Sequence, residues 1–274
     1  MTEDWDFYFC TVDDKLASIY VDLGTIKMLP IETHPFMAYV RLTMVTPRED
    51  GMSSSEEYDK LIAVEDALET LCFGGEVNYV GRCTSDGHRD FYFYIKDGII
   101  WQDRVAECLR AFPDYQYEIG SREDSAWSTY LSYLYPSDAN RQSIENRRVC
   151  VVLERNGDKL LVAREVDHWA EFADVAGRDS FVAGAVRLGF AVRALTTRED
   201  DGKFCAQLFR SDIPSMNGID DVTLPLYKLA QECDGNYDGW ESVVVRSDPK
   251  VGDSVPAETF ATRLKNACRT FIGM

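Results

Sequence analysis

Asp167 and His168 are the adjacent carboxylate and imidazole in this 274-residue sequence that come nearest to an acid–base pair. Histidine titrates near neutral pH, and a carboxylate holding one ring nitrogen makes the other a base. The pair lies in "KLLVAREVDHWAEF", which contains a strand, and adjacent strand residues point to opposite faces. Asp167 is therefore not expected to orient His168, and a hydrogen bond from His168 to nearby backbone is expected instead. An enzyme with an unrecognised site around Asp167 and His168 stands as an alternative. A second stretch, "DGNYDGWESVVV", places Asp234, Asn236, Asp238 and Gly239 as in the first half of a calcium loop. Its twelfth position is Val245, which cannot ligate, so turn chemistry explains the pattern better than a cation. Phosphate-loop, dinucleotide, HExxH and GxSxG patterns are absent. The three histidines stand far from any paired cysteines, so no zinc spacing is present. No catalytic set, cofactor or metal is expected.

Two similar series of elements surround these residues. In the first half, "WDFYFCTV" and "LASIYVDL" form a hairpin across "DDK". A strand in "FMAYVRLTMV" follows. Ser53 to Ser55 then cap a helix whose Leu61, Val64, Leu68 and Leu71 recur at helical spacing. "EVNYVGRCT" and "RDFYFYIK" form a hairpin, a helix covers Ile99 to Ala111, and "YQYEIGSRE" is a last strand. The second half runs from a helix near Ser137 through a strand, a helix containing "RDSFVAGAVRLG", and a hairpin of "FAVRALTT" with "KFCAQLFRS". A helix in "PLYKLAQECDG", with Pro225 in its first turn, leads to the strand "YDGWESVVV". Gly235 is read as the stop of that helix, and Asp238-Gly239 as a bend or bulge. Apart from the first hairpin and the helix near Ser137, each half reads strand, helix, strand, strand, helix, strand. The expected fold is α+β: two tandem ferredoxin-like (split βαβ) sandwiches, each an antiparallel sheet with helices on one face. The expected domains are 1–130, with the extra hairpin, and 137–247, followed by a 248–274 tail. Phe260, Leu264, Ala267 and Phe271 give that tail a short amphipathic helix.

Charge bears on partners. Residues 1–130 hold 25 acidic and 11 basic residues, a net −14, and residues 131–274 hold 22 and 18, a net −4. Nucleic-acid binding releases counterions from basic surface, so direct binding is disfavoured, whereas a basic protein partner suits the acidic balance. No run of about 20 apolar residues is present to span a bilayer. The acidic start and unpaired cysteines fit a reducing cytoplasm. Alternation in "DFYFYI" sends Tyr92 and Tyr94 to the sheet face away from the helices. Tyrosine suits protein interfaces, so that face is expected to meet a protein, a neighbouring domain or a second chain.

Gly157-Asp158, Arg164, Asp167-His168, Phe172, Gly189-Phe190, Leu229-Ala230 and Tyr237-Asp238-Gly239-Trp240, in that order, resemble the bacterial regulator of ribonuclease E activity B (RraB) family. The resemblance spans roughly 137–247. It implies a ferredoxin-like, non-catalytic protein that binds ribonuclease E and dampens RNA cleavage. Asp167, His168, Tyr237, Asp238 and Trp240, with Tyr92 and Tyr94, are the candidate partner-binding residues. The first half, through Gly81-Arg82 and Arg89 to Tyr94, looks like an uncharacterised bacterial domain family. An immunity-type inhibitor capping a basic toxin with the −14 half is a second alternative.

Overall fold

The computed structural model describes residues 2–96 and 100–246. The chain divides between Asn140 and Arg141 into two compact units. The segment from Phe260 to Phe271, expected as an amphipathic helix, lies outside the described residues.

The first unit opens with a hairpin of β1 (Trp5–Val12) and β2 (Lys15–Asp22). Asp13 and Asp14 both have positive φ at its tip, the backbone a two-residue hairpin turn requires. β3 (Phe36–Thr43), α1 (Tyr58–Glu69), β4 (Val77–Ser85), β5 (His88–Ile95), α2 (Trp101–Leu109) and β6 (Gln116–Glu123) follow. The sheet order is β1-β2-β4-β5-β3-β6, antiparallel throughout. Its last four strands have the split βαβ order, and the hairpin widens that sheet by pairing β2 with β4. On one face Val40 and Leu42, with Phe91 and Phe93, pack against Leu61, Val64 and Leu68 of α1 and against Trp101 and Val105 of α2.

At the β3–β6 end of the sheet's other face Arg41, Glu118 and Arg122 are exposed, but much of that face is covered by the chain itself. Residues 124–135 run back over it as a strap. Trp127 stacks on Tyr94 with centroids 3.7 Å apart and planes 3° from parallel. The Tyr8 hydroxyl donates to the Leu134 carbonyl (3.0 Å), and the Tyr130 hydroxyl to the Asp22 carbonyl (2.6 Å). Asp124 anchors the strap, accepting from the backbone N–H groups of Ser128 (2.8 Å) and Thr129 (2.9 Å) and from the Tyr94 hydroxyl (2.7 Å).

The second unit contains α3 (Asp138–Arg155), whose first turn holds the division, then β7 (Arg164–Phe172), α4 (Val175–Arg187), β8 (Ala191–Thr197), β9 (Phe204–Asp212), α5 (Ile219–Glu232) and β10 (Gly235–Ser242). Its sheet order, β10-β7-β9-β8, is again the split βαβ order. Val149 and Leu153 of α3, Phe181 of α4 and Leu226 of α5 pack on Val166, Phe172, Ala206 and Leu208. Pro225 lies in the interior of α5 rather than in its first turn. That helix starts at Ile219, because Ile219 and Val222 join the same core two turns and one turn ahead of Leu226, respectively.

Candidate functional site

β7 divides the predicted dyad. Alternate residues Arg164, Val166, His168, Ala170 and Phe172 are buried beneath the helices, while Glu165, Asp167, Trp169 and Glu171 project from the other face. His168 is 1% exposed. Its Nδ1 shares a 2.7 Å hydrogen bond with the Tyr237 hydroxyl, and its ring meets Phe190 edge-on at 5.3 Å. The partner is thus a side chain on β10, not the backbone expected from sequence. Nε2 has no partner among the described residues. Burial, and secondarily the Arg210 guanidinium, push the imidazole down to about 3, so it stays neutral at physiological pH. Asp167 bonds instead to Arg193 Nε (2.5 Å) and Gln207 Nε2 (3.1 Å). With the two side chains on opposite faces, no Asp167–His168 dyad exists.

The other residues singled out in the second half also build the fold. Asp158 and Arg164 form a buried ion pair at 2.7 Å, and Asp158 also accepts from the Val245 backbone N–H at 2.8 Å. Trp240 is buried and donates Nε1–H to Asn146 Oδ1 at 3.0 Å. The register between β10 and β7 shifts between Tyr237 and Gly239. This bulge absorbs Asp238 as the extra residue, so Tyr237 and Trp240 both reach the core. Asp238 is exposed at the bulge. The segment is a strand from Gly235 to Ser242 rather than a loop. No group of three or more metal-ligating His, Cys, Asp or Glu side chains occurs among the described residues.

Tyr94 is fully buried beneath Trp127, and Tyr92 is half-buried with its ring 5.7 Å from Tyr133. The strap occupies the face on which they were expected to meet a partner. His168, Tyr94, Tyr237 and Trp240 are therefore core residues, whereas of the predicted set Tyr92 and Asp167 are half-buried and Asp238 is exposed.

What the second unit does present is the open face of its sheet, which no helix of that unit covers among the described residues. Half-buried Trp169 on β7 and Phe209 on β9 are its aromatic centre. Arg193 of β8 lies 4.2 Å over the Phe209 ring and bridges Asp167 to Glu165, the latter at 2.7 Å. Glu171 is held by Arg198 (2.9 Å) and by Lys203. Trp169 pairs across the sheet with Gly239, where an added Cβ would meet nothing within 4 Å, leaving a gap beside the indole. Aromatic groups ringed by mutually ordered charges have the anatomy of a protein-binding surface. Trp169, Phe209 and Arg193 were not singled out from sequence. The signal was the period-2 alternation of "REVDHWAEF", which sends Trp169 away from the face of His168.

Residues 143–242 match the family described as regulator of ribonuclease activity B. Residues 3–135, a span that includes the strap, match a family of unknown function, DUF695. No curated protein matches the chain. A solved structure, an unknown protein from Galdieria sulphuraria, aligns at 11% identity over 77% of this chain and 99% of that one, with a TM-score of 0.21, too slight a likeness to carry an argument.

Proposed function

We propose that this chain is a non-catalytic regulator that binds a ribonuclease of the ribonuclease E type and dampens its RNA cleavage, using the open face of the second sheet. The observation that carries the reading is the Trp169–Phe209 centre with its ring of paired charges, on a unit matching the ribonuclease-regulator family. Each cation near those aromatics is paired with a carboxylate: Arg193 with Glu165 and Asp167, Arg198 and Lys203 with Glu171. Cations committed in this way release few phosphate counterions, so the face suits a protein better than RNA.

The test joins binding to activity. The full chain is titrated against an immobilised ribonuclease E-type enzyme, and cleavage of a labelled RNA is followed at the same concentrations. Saturable binding is expected, with cleavage slowed in proportion to occupancy. Trp169→Ala should weaken both by about tenfold or more, as central aromatic anchors do. Slowing that is equal in wild type and Trp169→Ala, or slowing that tracks binding of the chain to the RNA alone, refutes the proposal.

A further inference from the structure

The sheet of the first unit extends past its helices. Cross-strand pairing places Phe7 and Phe9 of β1, with Ser18 and Tyr20 of β2, on the same face as Arg82 and Thr84 of β4 and Arg89 of β5. That is the helix-covered face, but α1 ends its cover short of the hairpin. The step between them is a cleft of about 600 Å³ with Phe7, Phe9 and Tyr20 along the hairpin side and Ile62 on the α1 wall, within the size range of small-molecule sites.

Arg89 lines this cleft and is 2% exposed. Its Nε donates to Thr84 Oγ1 (3.1 Å) and its Nη2 to Ser53 Oγ (3.3 Å), both neutral hydroxyls. Its Nη1 has no partner among the described residues. The other arginines of the cleft are matched by carboxylates: Arg82 by Glu65 at 2.7 Å and Arg48 by Asp50 at 2.5 Å. Burial, and then Arg82, push Arg89 down only to about 10, so it is charged at neutral pH. Glu65 faces this guanidinium without bonding to it, and a buried guanidinium whose hydrogen bonds go only to hydroxyls is unfavourable unless an anion completes it.

We propose that this cleft binds a small molecule with a planar apolar body and a single oxyanion headgroup, phosphate or carboxylate. Arg89 supplies the fork for the headgroup, beside the Ser53 and Thr84 hydroxyls. The aromatic side chains of the hairpin hold the body. Asp66 and Glu69 on the α1 wall repel additional negative charge, which selects a single oxyanion over a polyphosphate. The site lies wholly in the first unit and does not depend on the ribonuclease reading.

The test is calorimetric titration of the full chain with phenyl phosphate, benzoate, inorganic phosphate and benzyl alcohol. One of the two aromatic oxyanions should bind saturably at one site per chain, and whichever is tighter identifies the headgroup. Inorganic phosphate and benzyl alcohol should bind at least about tenfold more weakly. Arg89→Met should weaken the aromatic oxyanion by at least about tenfold. Ile62→Glu, on the half-buried cleft wall, should do the same with an unchanged circular dichroism spectrum and keeps the test decisive if Arg89→Met does not fold. Failure of both aromatic oxyanions to bind up to about 10 mM overturns the proposal, as does binding unaffected by Ile62→Glu. Inorganic phosphate binding as tightly as phenyl phosphate overturns the aromatic subsite.

Discussion

The His168 imidazole is a buried base held in its neutral form. Phe190 and Tyr237 enclose it, and Arg210 lies close enough to oppose a second positive charge. In the unfolded chain an imidazole titrates near 6.5, whereas here it is pushed to about 3. Between those values the unfolded state binds the extra proton, so stability is highest above about 6.5 and falls as pH drops, by up to about 1.4 kcal/mol per unit. Urea unfolding of the wild type should show this loss between pH 7 and pH 5, and His168→Gln should lose about 2 kcal/mol less over the same interval. Burial and Lys96 lower His34 in the same direction, so the difference between wild type and variant isolates His168. Identical pH slopes in the two proteins would show that His168 does not titrate as argued. The divergence of Asp167 and His168 was legible from strand geometry alone. The partner Tyr237 was not, because it lies 69 residues away and its position depends on a bulge in β10.

At the scale of elements, the turn from α5 into β10 separates what residue preference indicates from what packing decides. A glycine after a helix reads as its left-handed stop, which points to Gly235. In the structure Asp234 takes that conformation, with φ of 55°. Gly235 is required for a different reason: a Cβ there would lie 2.1 Å from Phe172 Cε1. The two positions should therefore respond with opposite signs. Asp234→Gly should stabilise by up to about 1 kcal/mol by relieving a left-handed non-glycine residue. Gly235→Ala should destabilise by about 1–3 kcal/mol through overpacking against Phe172. Urea midpoints of the two variants check this, and a Gly235→Ala protein as stable as wild type would remove the packing argument. The strap has the same lesson. "STYLSYLY" is an aromatic cluster with no strand or helix period that shows where it docks. Its meaning lies in contacts far along the chain, Tyr130 with Asp22 and Leu134 with Tyr8. The two split βαβ orders were legible because each depends on local signals, apolar helical spacing and hairpin turns, although the first helix starts at Tyr58 behind Glu57 and is not capped by Ser53 to Ser55.

Across the whole molecule, most of the negative charge and the Trp169–Phe209 sheet face fall in different halves. The net −14 belongs to residues 1–130, and the Trp169–Phe209 face belongs to the second unit, in the half whose net charge is −4. If the chain binds a ribonuclease as proposed, and the partner is basic, these features act on different rate constants. Long-range attraction from the acidic half speeds encounter and is screened by salt. Short-range burial of aromatics sets how long the complex lasts. Raising salt from about 50 mM to about 500 mM should slow association by roughly tenfold while changing dissociation little. Trp169→Ala should do the reverse, speeding dissociation by about tenfold or more with association nearly unchanged. Surface plasmon resonance with the full chain as analyte separates the two. A Trp169→Ala defect confined to the association rate would place the contact surface elsewhere on the molecule. Association unchanged by salt would remove the acidic half from recognition.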